Sequence, residues 1–171
     1  PWHFNMTDKV DLIMSTFSKS FASLGGFIPV EEDVVDFIKH HARSLIFSAS
    51  ITPASAASAL AALHVMKEEP ERIQRINQIG EKMRNGYRSL GFNVGKSVTP
   101  IIPIMIGDDQ KTFLFWRALF DEGVFVNPVI SPAVAPGNQL LRTSYMATHT
   151  DDQLDRVLGI FKKVGKKVGV I

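Results

Sequence analysis

The chain contains no cysteine, so disulfides, thiolate catalysis and cysteine-ligated zinc or iron–sulfur centres are excluded at the outset. No apolar stretch reaches the roughly 18 residues a membrane-spanning helix requires, and Pro1-Trp2-His3 does not begin a charged-then-apolar signal peptide. An excess of one charge is also lacking. Nineteen Lys and Arg against seventeen Asp and Glu give a formal charge of +2, spread along the chain, which argues against a nucleic-acid partner. The densest basic stretch, Lys162-Lys163 with Lys166-Lys167, falls in the last turns of an expected C-terminal helix, where cations offset the helix dipole. None of the five histidines (His3, His40, His41, His64, His149) has metal-ligand spacing with a carboxylate, and no metal is assigned. Internal repeats and low-complexity linkers are missing too. These absences describe a soluble protein of a reducing compartment, expected to be cytoplasmic.

What is present is enough apolar sequence, 45% of residues, to bury a core. The near-continuous apolar run from Val10 to Ser15 reads as an interior strand buried on both faces. A short strand is expected at 26–29, a helix over 31–43 with acidic residues in its first turn, and another strand over 44–50. Thr52-Pro53 then supplies a hydroxyl cap and a first-position proline for an alanine-rich helix to Lys67, whose small residues suit a close helix or subunit contact. A helix from about Pro70 should stop at Gly91. Beyond it the expected order is a strand in 100–106, a helix in 110–122, strands in 124–129 and 140–146, and a closing helix from Asp151 opened by a Thr150/Gln153 capping box. The fold class is therefore α/β, divided into residues 1–72 and an α+β layer built on a small sheet, 73–171.

Three constellations could carry chemistry. Lys19 lies in Ser15-Thr16-Phe17-Ser18-Lys19-Ser20, ahead of Gly25-Gly26. An amine flanked by hydroxyls and small residues suits an aldehyde cofactor held as a Schiff base with its phosphate nearby, although a lysine at a strand-to-loop junction is more often simply solvated. Phe47-Ser48-Ala49-Ser50 precedes the Thr52 helix start, where hydroxyls and free backbone N–H groups favour a phosphate, or merely cap the helix. Arg142 interrupts the strand-like Leu140-Leu141-Arg142-Thr143-Ser144-Tyr145-Met146. Its guanidinium can grip a carboxylate at two points, or pair with an internal Asp or Glu.

The run Asp11-Leu12-Ile13-Met14-Ser15-Thr16-Phe17-Ser18-Lys19-Ser20 with Gly25-Gly26-Phe27 resembles the cofactor-lysine segment of the α-oxoamine synthases, which are fold-type I pyridoxal-phosphate enzymes. Phe47–Ser50, Gly123–Pro128, Leu141-Arg142 and Met146–Thr150 continue the likeness in the family's order. The wording is nearest the serine palmitoyltransferase branch, with glycine C-acetyltransferase (2-amino-3-ketobutyrate CoA ligase) and 8-amino-7-oxononanoate synthase as neighbours. The resemblance implies the C-terminal part of a fold-type I enzyme: the end of its large cofactor domain (1–72) and its small domain (73–171). It implies condensation of an amino acid, serine or glycine, with an acyl-CoA, using pyridoxal 5'-phosphate. Lys19 would bind the cofactor covalently and move protons at the substrate α-carbon, Thr16 and Ser18 would bind its phosphate, Ser48 would reach the phosphate of a partner subunit's site, and Arg142 would hold the substrate carboxylate.

A homodimer with shared sites follows from the same likeness, as does little activity for this chain alone, because the family's stacking histidine and ring-facing aspartate stand upstream of the lysine segment. In the loop 130–136, Ile130 replaces the arginine of the serine palmitoyltransferase branch and Val134 replaces a threonine. An aminotransferase of the same fold and a non-catalytic scaffold are the alternatives.

Overall fold

The computed structural model describes all residues from Pro1 to Ile171, in two compact units, Pro1–Glu69 and Pro70–Ile171. The division falls just ahead of a long helix rather than inside it.

In the first unit, two 3-10 turns (Trp2–Phe4, Thr7–Lys9) lead to a minimal antiparallel hairpin of β1 (Ser15–Thr16) and β2 (Gly26–Phe27), in register Ser15↔Phe27 and Thr16↔Gly26. Gly26 permits this approach, since a Cβ there would lie 2.6 Å from the Ser15 carbonyl oxygen. Three rings, Phe17, Phe21 and Phe27, cluster beneath the connecting loop with centroids 5.2–6.1 Å apart. Helices α1 (Glu32–His41), α2 (Arg43–Ile46) and α3 (Pro53–Glu68) follow. Thr52 caps α3 as expected, its side chain accepting from Ser55 N–H, with Pro53 at the first helical position.

Two expectations fail in this unit. Residues 10–14 form no interior strand: Val10, Leu12 and Met14 are exposed, and pairing begins only at Ser15. A strand buried on both faces needs other layers packed above and below its sheet, and in this chain residues 10–14 have neither such cover nor a ladder partner, since Gly26–Phe27 pairs only with Ser15–Thr16. The stretch 44–50 is likewise helical at its start. Leu45 and Ile46 N–H both donate to the Ala42 carbonyl, and no second strand offers Leu45-Ile46-Phe47 a ladder. The alanine-rich α3 buries only Ala59, while Leu60 and Leu63 stay open to solvent.

The second unit holds a true core. α4 (Glu71–Ser89) ends before Gly91, whose φ of 96° favours glycine. β3 (Ile102–Met105), α5 (Asp109–Asp121), β4 (Asn127–Val129), β5 (Leu140–Thr143) and α6 (Asp151–Val168) complete the unit. The sheet is antiparallel in the order β3-β5-β4. Strand alternation sends Ile102, Ile104, Leu141 and Thr143 inward, where they are buried with Ile79, Met83 and Tyr87 of α4, Phe115 and Leu119 of α5, and Leu154, Phe161 and Val164 of α6. The helix α6 presents Leu154, Phe161, Val164 and Gly165 along one face. It opens on the expected capping box, in which Thr150 Oγ1 accepts from Gln153 N–H and Gln153 Oε1 accepts from Thr150 N–H. Asp151 and Asp152 in its first turn and Lys166 and Lys167 in its last complement the dipole. No helix is long and apolar enough to cross a membrane.

Candidate functional site

The loop that joins β1 to β2 carries the sequence-predicted lysine. Ala22 N–H donates to the Lys19 carbonyl (2.9 Å), Ser23 N–H to the Phe17 carbonyl (2.9 Å) and Phe17 N–H to the Gly25 carbonyl (2.9 Å), so the loop is folded on itself. Gly25 makes its turn at a φ of 104°. The Lys19 side chain is exposed, with no ion pair or hydrogen bond. Thr16 Oγ1 and Ser18 Oγ lie 3.2 Å apart and share a hydrogen bond. Two exposed hydroxyls so placed could give up their mutual hydrogen bond and donate to an anion at little cost.

Two cavities open on this loop. One of about 470 Å³ is lined by Thr16, Gly25, Gly26, Phe27, Val35 and Ile38 among others. The other, also about 470 Å³, is bordered by Ser18, Ser23, Gly25, Ser55 and Ser58 at the start of α3. Ser23 and Ser58 spend their protons on the carbonyls of Ser55 (2.6 Å) and Ala54 (2.9 Å). Ser18 lacks such a backbone tie. Ser48 is exposed just after α2, and its hydroxyl donates to the Ser44 carbonyl while its lone pairs remain open.

Arg142 belongs to the second unit and to the opposite kind of surface. On β5 it is flanked in sequence by inward Leu141 and Thr143, and so points to the outer face of the sheet, where it is exposed. Its cross-strand neighbours are Pro103 on β3 and Asn127 on β4. Neither is charged, and no carboxylate pairs with the guanidinium, so the internal ion pair entertained from sequence is not formed. Along the same face run Met105, Val129 and Leu140, all half-buried, which leaves one unpaired cation on an otherwise uncharged strand surface.

Sequence reasoning missed what lies directly beneath. Thr143 Oγ1 donates to the Ile102 carbonyl (2.9 Å), Tyr145 OH donates to Thr143 Oγ1 (3.2 Å), and Tyr87 OH lies 2.9 Å from Tyr145 OH. Burial pushes the Tyr87 hydroxyl well above the ordinary tyrosine range, and Tyr145 is raised for the same first reason. The alternation of Thr143 and Tyr145 was visible in the sequence, but nothing in it showed that Tyr87, on a helix 58 residues away, would meet them.

Residues 2–161 match the aminotransferase class I and II family. The chain belongs to that family. Among its relatives, a serine palmitoyltransferase of Bacteroides ovatus is 47% identical over 169 residues, covering 99% of this chain and 43% of that protein. An 8-amino-7-oxononanoate synthase of Thermosipho melanesiensis is 38% identical over the same share of each chain. A solved structure of SPT with PLP internal aldimine superposes with a TM-score of 0.93 at 31% identity, covering 98% of this chain and 43% of the other. The chain thus spans less than half the length of the relatives it matches, and its α/β fold is that of the corresponding part of SPT.

Proposed function

We propose that this chain is the C-terminal portion of an α-oxoamine synthase, a pyridoxal-phosphate-dependent acyltransferase that condenses serine or glycine with an acyl-CoA. The products are an α-amino ketone, free CoA and, where the amino acid loses its carboxyl group, CO2. The observation that carries the reading is the Thr16–Ser18 hydroxyl couple next in sequence to an exposed, unpaired Lys19, in a chain 47% identical to a serine palmitoyltransferase.

The residues present fit such a cofactor. An unpaired amine stands one residue from Ser18, the hydroxyls of Thr16 and Ser18 are free of backbone ties, and cavities lined in part by Gly25 and Gly26 open beside them. Bound there, the cofactor would supply an electron sink for negative charge at the substrate α-carbon. Lys19 would hold its aldehyde carbon and, once displaced by substrate, move a proton to and from the α-carbon. Thr16 and Ser18 would donate to phosphate oxygens, and Ser48 would do so in the site of a second subunit. Arg142, with no internal carboxylate to satisfy it, would grip the substrate carboxylate through two parallel N–H donors.

In this reading the first unit is the end of a large cofactor domain and the second a whole small domain. The solvent-open apolar side chains of the first unit, Phe47 and Ile46 among them, support its being covered by further protein, both the rest of the parent chain and a second copy. The isolated chain would turn over little or nothing.

The test is a thiol-release screen on the full-length protein with its cofactor, pairing serine, glycine and alanine with short and long acyl-CoAs. Release of free thiol dependent on serine and a long acyl-CoA is expected. Keto-acid exchange without thiol release would replace the reading with an aminotransferase of the same fold, and neither activity with intact protein would leave a scaffold.

A further inference from the structure

We propose that the buried hydroxyl chain Tyr87–Tyr145–Thr143 is a positioning device for Arg142, so that Thr143 and Tyr145 set the aim of the carboxylate grip without touching substrate. This rests on the reading of Arg142 given above.

Arg142 is one residue from the end of β5, and its ladder partners are near the ends of their own strands. Ile102, opposite Thr143, is the first residue of β3, and Asn127, opposite Arg142, is the first of β4. A ladder frays at such strand ends, whereas a two-point grip on a carboxylate needs a fixed plane. The hydroxyl chain ties that end down from below. Because alternation turns Thr143 inward where Arg142 turns outward, Thr143 Oγ1 can reach the carbonyl of Ile102, the residue it already faces in the register.

The direction of the chain is fixed by counting protons. Thr143 gives its proton to Ile102, Tyr145 gives its own to Thr143, and Tyr87 must therefore give its proton to Tyr145. Tyr87 is fully buried on α4, its ring against Phe161 (4.8 Å) and Phe92 (6.0 Å), so the far end is anchored in the core. Burial keeps both phenols protonated through the neutral range. Valine and two phenylalanines would fill the same volume with no polar group to satisfy. The hydroxyls therefore contribute direction, not bulk.

The experiment uses the full-length, cofactor-loaded protein, with L-serine as the probe. Thr143→Val, Thr143→Ser, Tyr145→Phe and Arg142→Ala are compared with wild type for the serine dissociation constant by calorimetry, for KM and kcat, and for thermal midpoint. Thr143→Val and Tyr145→Phe are expected to weaken serine binding about three- to tenfold and to raise KM with kcat within about twofold, whereas Thr143→Ser, which keeps the hydroxyl, binds serine as wild type does. A lowered midpoint with unchanged serine affinity in Tyr145→Phe, the variant that keeps its ring, overturns the proposal even if Thr143→Val fails to fold. Arg142→Ala separates the two layers. If it leaves serine affinity unchanged, the carboxylate reading falls and the positioning role with it; if it weakens binding while Tyr145→Phe and Thr143→Val do not, only the positioning role falls.

Discussion

Two glycines on α6 should respond in opposite directions to the same substitution. Gly159 is exposed, and a Cβ built on it meets nothing within 4 Å. Gly159→Ala should therefore gain the helix propensity difference alone, about 0.5–1 kcal/mol. Gly165 is buried, and its Cβ would stand 2.6 Å from Phe92 Cζ, 3.0 Å from Phe92 Cε1 and 3.1 Å from Ile171 Cγ1. Phe92 has little freedom to retreat, since its ring is packed against Phe115 (5.9 Å), Phe161 (5.7 Å) and Tyr87 (6.0 Å). Overpacking of this kind costs about 1–3 kcal/mol. After the same propensity gain, Gly165→Ala should be destabilised by up to about 2 kcal/mol, placing the two variants roughly 1–3 kcal/mol apart. Urea unfolding followed by Trp116 fluorescence, with the denaturant slope checked for constancy, measures the difference. Equal stability of the two variants would refute the packing argument, as would a Gly165→Ala protein more stable than wild type.

The capping box gives a second expectation: Thr150→Ala should lower the stability of the second unit by about 1 kcal/mol, read from the same unfolding curves, with a smaller loss for Thr150→Ser. Alkaline pH gives a third. Tyr87 and Tyr145 have folded-state values raised above the unfolded value near 10, so their contribution is complete below about pH 10 and is lost above it, as the unfolded chain ionises first. A pH series of unfolding midpoints should fall above pH 10, and Tyr145→Phe should flatten that limb; an unchanged limb in the variant contradicts the assignment. At the acid end, Asp151 is held below the usual carboxylate range, first by Lys82 and then by Arg75. Its contribution should be present above the ordinary aspartate value and lost as pH falls through the lowered one. Because these groups lie in solvent, added salt should erase that acid limb.

The second unit was largely legible in the sequence because its signals are local. Thr150 and Gln153 form the box their spacing implies, Gly91 follows the end of α4 with a positive φ, and the strand ends differ from expectation by only a few residues. Where a segment's structure depends on distant partners, the sequence misled. Val10-Asp11-Leu12-Ile13-Met14 has the composition of an interior strand, but a ladder belongs to two segments and in this chain Gly26–Phe27 pairs only with Ser15–Thr16 beyond it. Leu45-Ile46-Phe47 is too short for periodicity to separate strand from helix, and the carbonyl of Ala42 decided in favour of a turn of helix. The same distinction runs through the candidate site. Thr16 and Ser18, two residues apart, make the contact their spacing permits, and Arg142 takes the outward position that alternation assigns it. The link from Tyr87 to Tyr145 joins a helix to a strand end across the core and left no pattern in either segment.

The central claim, that Lys19 is the covalent anchor of a vitamin B6 aldehyde, is tested most directly by chemistry at that nitrogen. Full-length protein incubated with pyridoxal 5'-phosphate, reduced with borohydride and digested should yield a phosphopyridoxyl label on the peptide containing Lys19, and Lys19→Ala should abolish it. A label on a different lysine, or none in protein that still releases thiol from acyl-CoA in the presence of serine, would contradict the account.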